Sequence, residues 1–232
     1  MGSALSSYEL SNYLLKPNGC ATPEDLFGLT PVQIRLIRKS WRLARKQGLD
    51  EPGRSILLAI FKHAPEIESK FGKKKIYESH LKGKPHAYQP EFYLHAQRFT
   101  LLLDFVVKNL ETLPALAPKL HELGRSHARI PAFHTKYFDT FAEALIDKSL
   151  NWGTGFRNHR NSAMRVAWIK IVLFLTEKLH EGYRDFFRQK RRNDSESRAL
   201  VYANKQKSNR HRMLELRRSR SASDIYEKPH DQ

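Results

Sequence analysis

Apolar residues recur at helical spacing along most of the chain. The clearest stretch begins at Pro90, and its apolar positions return every few residues through four turns, at Phe92, Phe99, Leu102, Leu103, Val106 and Leu110. This spacing places them on one face of an α-helix. Five further stretches show the same period, whereas no pair of segments alternates in polarity as the strands of a sheet do. The pattern predicts an all-α fold.

Proline and threonine mark the ends of several stretches. Thr30 and Pro31 predict the start of the first helix, because threonine caps a helix and proline is favoured at its first position. A second helix is expected from about Glu51 to a break at Ala64–Pro65. Residues 72–89 combine lysine with glycine and proline, which indicates a basic surface loop. We expect a flexible N-terminal arm at 1–28, a helical domain at 29–183 and a basic, largely disordered C-terminal tail at 184–232.

Two histidines lie inside apolar stripes. His95 is one helical turn before Phe99, and His127 is one turn after Leu123 in a shorter helix. Either histidine alone is most simply a core residue whose ring is satisfied by the backbone. An unpaired ring nitrogen in apolar surroundings costs about 1–3 kcal/mol, so two such histidines favour a shared ligand. The iron of a haem suits them, because imidazole binds it and apolar side chains line its flat faces.

Length and composition are those of one folded domain with extensions. The chain has 232 residues, 40% of them hydrophobic, which is ample for a core. Cys20 is its only cysteine, so an internal disulfide is excluded and a reducing compartment is expected. Neither a membrane-spanning apolar run nor a signal-peptide pattern is present in the sequence. These features predict a cytoplasmic protein.

The formal charge of +17 invites two kinds of anionic partner, nucleic acid and membrane. A helical nucleic-acid-binding module would expose aromatic residues among its cations. Instead Phe92, Phe99, Phe138 and Phe141 fall on apolar stripes, which makes that alternative the weaker one.

The ordered motifs resemble the globin family. Trp41, Phe61, Pro65 and Phe71 precede P-E-F-x-x-H ending at His95, and L-G-x-x-H ends at His127. The run P-E-F-x-x-H, followed by x-x-x-F and then by L-D-x-V-V-x-N-L at residues 103–110, is especially similar to neuroglobin-like and nematode globins. The resemblance extends from about Leu29 to Tyr183. It implies about eight helices in a three-over-three sandwich around a noncovalent haem b with its iron.

The resemblance also implies roles for individual residues. His127 corresponds to the proximal iron ligand and His95 to the distal histidine. Three apolar residues correspond to lining positions of the haem pocket: Leu57, Phe71 and Phe99. Leu123 lies beside them on the stripe of His127. His121 and His134 compete as ligands by residue type alone, but one lies off the apolar stripe and the other follows a helix break.

The distal pocket departs from that of many oxygen-avid nematode globins. Those proteins resemble each other in carrying tyrosine and glutamine where Leu57 and His95 stand here. We therefore expect His95 to be the sixth iron ligand, in a protein acting in electron transfer or in oxygen and redox sensing. Reversible binding and storage of oxygen, or another diatomic gas, is the alternative. No arrangement typical of a hydrolase, nucleotidase or deaminase appears, so an enzymatic role beyond haem-linked redox side reactions is not expected.

The lysines around Phe71 suggest a docking face. Lys70, Lys73, Lys74 and Lys75 form either a solvated basic loop or a surface that attracts an acidic redox partner.

The two ends of the chain carry modification motifs. Met-Gly-x-x-x-Ser predicts myristoylation of Gly2, with Cys20 as a palmitoylation candidate, although Met-Gly-Ser also begins many expression tags. Acylation and the basic tail together would tether the protein to the inner face of the plasma membrane, an anionic surface. Ser219, Ser221 and Ser223 lie among arginines and are phosphorylation candidates.

Overall fold

A computed structural model describes residues 28–46, 48–72, 75–83, 89–152 and 160–223. Gly2, Cys20, Lys73 and Lys74 lie outside these ranges. The side chains of the three candidate phosphorylation sites, Ser219, Ser221 and Ser223, also lie outside the described part.

The described residues form helices and connections, with no strand among them. The α-helices are α1 (Pro31–Arg45), α2 (Glu51–His63), α3 (Pro65–Glu68), α4 (Ile76–Leu81), α5 (Pro90–Lys108), α6 (Ala117–Ala128), α7 (Lys136–Asn151) and α8 (Arg160–Ser223). Short 3-10 helices cover Ser69–Phe71 and Leu110–Leu116. The all-α class predicted from the sequence is confirmed.

Helix α1 begins where the capping signal predicts. The Thr30 hydroxyl accepts a hydrogen bond from the Gln33 backbone N–H at 3.2 Å, and the Gln33 side chain accepts one from the Thr30 N–H at 2.9 Å. This reciprocal pair satisfies two backbone donors that a helix start leaves without partners. The buried face of α1 then presents Ile37, Trp41 and Ala44 to the core.

Glycine lets α2 and α5 approach closely. A Cβ added to Gly53 would lie 1.9 Å from the Ala96 carbonyl oxygen, so no larger residue fits without displacing backbone. The Gly53 N–H donates to the Thr100 hydroxyl at 3.0 Å. Because Ala96 follows His95, this crossing fixes the backbone that carries the histidine.

A second glycine-mediated crossing joins α6 to α8. A Cβ on Gly124 would lie 2.1 Å from the Leu179 carbonyl oxygen, and one on Gly182 would lie 1.9 Å from that of His121. Each helix thus contributes a glycine to the contact. The crossing is one turn from His127 and holds its helix against α8.

The segment predicted as a basic loop contains a helix. Residues 72–89 were expected to be irregular, but α4 occupies Ile76–Leu81 within them. Ile76 is buried, and the Tyr77 N–H donates to the Glu68 carboxylate at 2.7 Å. Six residues with one deeply buried apolar anchor give too short a pattern for helical periodicity to be recognised.

The expectation of a largely disordered tail also differs from the structure, since α8 continues to Ser223. Contacts divide the chain into two units, Met1–Arg184 and Asp185–Gln232. The second unit is rich in helix-forming residues and contains ion pairs at helical spacing, Asp185 with Arg188 at 3.0 Å and His211 with Glu215 at 3.3 Å. Its apolar residues are too scattered to predict a packed helix, which is why the sequence pattern suggested disorder.

None of the described helices combines the length and the apolar content needed to cross a bilayer.

Candidate functional site

His127 is held by the backbone of its own helix. Its Nδ1–H donates to the Leu123 carbonyl oxygen at 2.8 Å, one turn earlier in α6. A carbonyl can only accept, so this bond fixes the proton on Nδ1 and leaves the lone pair of the neutral ring on Nε2. A histidine oriented in this way is prepared to bind a metal through Nε2.

Aromatic rings also fix the position of the His127 imidazole. The ring centroids of Phe133 and Phe138 lie 5.1 and 5.5 Å from that of His127. Burial lowers the pKa of His127, partly opposed by its hydrogen bond to Leu123. The neutral ring is therefore favoured, and only the neutral ring can donate a lone pair to iron.

His95 sits in a second aromatic group. Its ring centroid lies 5.2 Å from that of Phe71 and 6.3 Å from that of Phe99. Phe99 in turn contacts Phe141 of α7 at 4.8 Å, edge to face. Unlike His127, the His95 ring has no hydrogen-bond partner among the described residues. It is positioned by apolar contact alone.

The two histidines influence each other electrostatically. Burial lowers the pKa of His95, and the charges of Arg98 and of His127 when it is protonated act in the same direction, so that the pKa is about 4. Ring contacts also lead from both histidines to α7, from His127 directly to Phe138 and from His95 through Phe99 to Phe141. Both rings are neutral at physiological pH in this setting.

The predicted lining residues are buried or partly buried. Leu57 is buried in α2, while Phe71, Phe99 and Leu123 are partly buried and pack against the core. Phe71 also contacts Phe61 at 5.3 Å. The ligand and lining roles given to these residues stay predictions.

The competing histidines contact other groups. His134 is exposed and its ring lies 5.7 Å from that of Tyr137. His121 contributes its backbone to the crossing with Gly182.

The donor set fits a haem. Two neutral imidazoles lie in one site lined by apolar and aromatic side chains, which suits the faces of a porphyrin. Two protein ligands suffice, because the porphyrin supplies the other four nitrogens to the iron. Among the residues that the structure describes, no three His, Cys, Asp or Glu lie together in a way that could hold a metal ion by themselves.

Sequence reasoning missed the support around His127. Phe133 and Phe138 were assigned to an apolar helix face, but they contact the imidazole directly. The Tyr183 hydroxyl donates to the Phe133 carbonyl oxygen at 2.8 Å. No spacing rule could have found this bond, because it joins residues 50 positions apart. Arg98, three residues after His95, could have been noted from its helical spacing.

The described lysines near Phe71 already have partners. Lys70 Nζ donates to the Pro131 carbonyl oxygen at 2.8 Å, and Lys75 lies 3.2 Å from Glu78. The Lys70 bond joins the segment of Phe71 to the turn after α6.

Known proteins resemble this chain in sequence. The globin family model matches residues 54–175. The globin-related protein glb-13 of Caenorhabditis elegans is 30% identical over 157 residues, which are 67% of this chain and 52% of that protein. Neuroglobin of Dissostichus mawsoni is 27% identical over 95 residues, 40% of this chain and 57% of that protein. The matched region thus spans only about half the length of these relatives.

A solved structure shares the fold. It is the crystal structure of a hexacoordinated heme protein from an anhydrobiotic tardigrade at pH 4, with a TM-score of 0.54 and 24% sequence identity. The match covers 68% of this chain and 97% of that one. It supports the helical arrangement described above.

Proposed function

Because this chain belongs to the globin family, whose cofactor is haem, we propose that His127 and His95 both bind the haem iron and that the protein acts in electron transfer or in oxygen and redox sensing. The observation that carries this proposal is the protonation and hydrogen bonding of the two imidazole rings. Both are driven to the neutral form by burial, and the His95 ring has no protein partner among the described residues to compete with a metal.

The fixed tautomer of His127 supports its role as the permanent ligand. Its Nδ1–H bond to Leu123 strengthens the basicity of the ring and aims one defined nitrogen at a metal. His95 lacks such a bond, so it can bind through either nitrogen and can also leave. The tardigrade protein that shares the fold is hexacoordinated, which is consistent with a second protein ligand here.

The residues around His95 determine how polar the pocket is for an external ligand. A bound haem supplies one-electron cycling between ferrous and ferric iron and affinity for diatomic gases. Leu57 and Phe99 offer no hydrogen bond, so His95 is the polar side chain among the predicted lining residues. If His95 held the iron as a second protein ligand, an external gas would have to displace it, and capture of the gas would be slower.

Electron transfer also requires a partner. We assign this role to an acidic redox protein attracted by the basic side chains that follow Phe71, with association weakened by salt.

Reversible oxygen storage is the second candidate. It is favoured by the neutral state of His95, since a neutral imidazole keeps an N–H that can donate to a gas ligand. The two candidates differ in where His95 stands when no gas is present.

The visible spectrum of the deoxygenated ferrous protein separates them. We expect split, low-spin bands for the wild type and a five-coordinate, high-spin spectrum for His95→Leu. His134→Leu is the matched control, because it makes the same substitution at an exposed histidine, and its spectrum should be that of the wild type. A five-coordinate wild type would contradict the hexacoordinate proposal and support oxygen storage.

A further inference from the structure

Four cations form a row on the C-terminal part of α8. Arg191, Arg198, Lys205 and Arg212 are spaced seven residues apart. Seven residues are close to two helical turns, so the four side chains share one side of the helix at intervals of about 10 Å. We call these four residues the cationic row.

The cationic row is available for binding. All four side chains are exposed, and none of them has an ion pair with another described residue. Asp194 lies on the same side, but it forms no ion pair with the neighbouring Arg191 or Arg198. The row therefore keeps a positive charge facing solvent.

Apolar side chains lie on the same side of the helix. By helical register Phe187, Val201 and Leu216 fall along the cationic row, and they are 37%, 69% and 51% exposed. Clusters of four to eight lysines and arginines on a helix are typical of binding to anionic lipid. The long stems of these side chains can lie along neighbouring apolar groups while their charges stay in water. The apolar groups enter the boundary between headgroups and acyl chains while the cations contact lipid phosphates.

A nucleic acid matches this surface less well. Phosphates would account for the cations, but the aliphatic side chains of Val201 and Leu216 have no role against a phosphate backbone. A lipid bilayer offers phosphates for the cations and an apolar layer for the aliphatic side chains.

We propose that the face of α8 carrying the cationic row binds anionic lipid bilayers, with the helix lying along the membrane surface. This binding goes beyond the haem chemistry and does not require an acyl chain on Gly2. It supplies a membrane signal of its own in the second unit of the chain, Asp185–Gln232.

The test is cosedimentation of the full haem-loaded chain, made without N-acylation, with vesicles of phosphatidylcholine alone or mixed with phosphatidylserine. The row variant carries Arg191→Gln, Arg198→Gln, Lys205→Gln and Arg212→Gln. The control variant carries Arg188→Gln, Arg192→Gln, Lys207→Gln and Arg210→Gln, which removes the same charge from the other sides of the helix. Glutamine keeps the helix propensity of the residues it replaces.

We expect the wild type to bind the mixed vesicles and not the neutral ones. Each cation at an anionic surface contributes about fivefold to the partition coefficient, so the row variant should lose at least a hundredfold while the control loses roughly tenfold or less. Helical circular dichroism and the haem spectrum should be unchanged in both variants.

Three outcomes would overturn the proposal. Equal losses in the two variants would show a nonspecific charge effect, and full binding by the row variant would show that the row is not used. Tighter binding of a short DNA duplex than of vesicles, lost in the row variant, would identify a nucleic-acid surface instead.

Discussion

The two histidines of the proposed haem site are held in different ways. His127 has a hydrogen bond from Nδ1 to the Leu123 carbonyl and two phenylalanine rings within 6 Å of its centroid. His95 has ring contacts to Phe71 and Phe99 but no hydrogen bond to a described residue. One imidazole is oriented by directional bonds and the other only by packing.

The backbones that carry the two rings are held in the same way. The helix of His127 is locked at Gly124 against Leu179, and the helix of His95 is locked where Gly53 meets Ala96. Each crossing leaves no room for a Cβ, so neither backbone can shift without repacking. The difference therefore lies in the side chains. In the proposed site, His95 would leave the iron by rotation of its ring, without movement of helix α5.

Replacing each histidine by glycine tests this asymmetry and should give the largest effect. His127→Gly removes the oriented ligand, so haem dissociation should accelerate by roughly a hundredfold or more, the factor that corresponds to about 2.7 kcal/mol. His95→Gly should keep its haem, because His127 still binds. Transfer of haem to an excess of apomyoglobin measures both rates.

Added imidazole distinguishes a lost ligand from a damaged fold. It should restore haem retention in His127→Gly by occupying the cavity, and it should bind His95→Gly as a sixth ligand with a low-spin spectrum. Equal haem loss in the two variants would show that the two histidines contribute equally to haem retention, which would contradict the stronger role given to His127.

A substitution at the α6–α8 crossing should have the next largest effect. Gly124→Val places a branched side chain against the Leu179 carbonyl, where a Cβ alone would lie 2.1 Å away. We expect the free energy of unfolding to fall by about 3 kcal/mol, with faster haem loss because His127 is one turn away. Urea unfolding of the haem-free protein measures the first effect.

Ser126→Val is the matched control for that substitution. It places the same side chain at an exposed position of the same helix. Because serine and valine have similar helix propensities, the free energy of unfolding should change by less than about 0.5 kcal/mol. Equal losses in both variants would mean that the glycine crossing does not hold the helix.

The sequence predicted the helices and both histidines because local signals determine them. The Thr30 cap, the stripe through His95 and the break at Pro65 each follow from spacing and residue type over a few turns. The same local rules predicted that His95 and His127 face the interior. That the two rings share one ligand was predicted from the rarity of two such histidines and from the resemblance to globins, because local rules do not say how α5 and α6 are brought together.

What the sequence did not predict depends on long-range contacts or on short elements. The crossing of Gly124 with Leu179 and the bond from Tyr183 to Phe133 join residues about fifty positions apart. Helix α4 is too short for periodicity to detect. The extension of α8 has exposed apolar residues rather than a stripe, so its pattern resembled a disordered tail.

Tyr183→Phe should give the smallest effect, because it removes a single hydrogen bond from the support around His127. The change deletes the hydroxyl that donates to the Phe133 carbonyl while keeping the ring that packs beside Phe133 at 6.0 Å. A bond of this kind contributes about 1 kcal/mol to the free energy of unfolding. Tyr202→Phe, the same change at a side chain that is 65% exposed, should leave unfolding unchanged.

The readout that matters is haem loss rather than stability alone. Phe133 contacts the His127 ring, so a loosened Phe133 should speed haem dissociation by up to about fivefold, the factor that corresponds to about 1 kcal/mol. If His95 is the sixth ligand as proposed, its departure limits gas capture, and the rate of gas capture should stay the same. If Tyr183→Phe changed gas capture and left haem retention intact, the support attributed to His127 would belong to His95, and the asymmetry between the two ligands would be reversed.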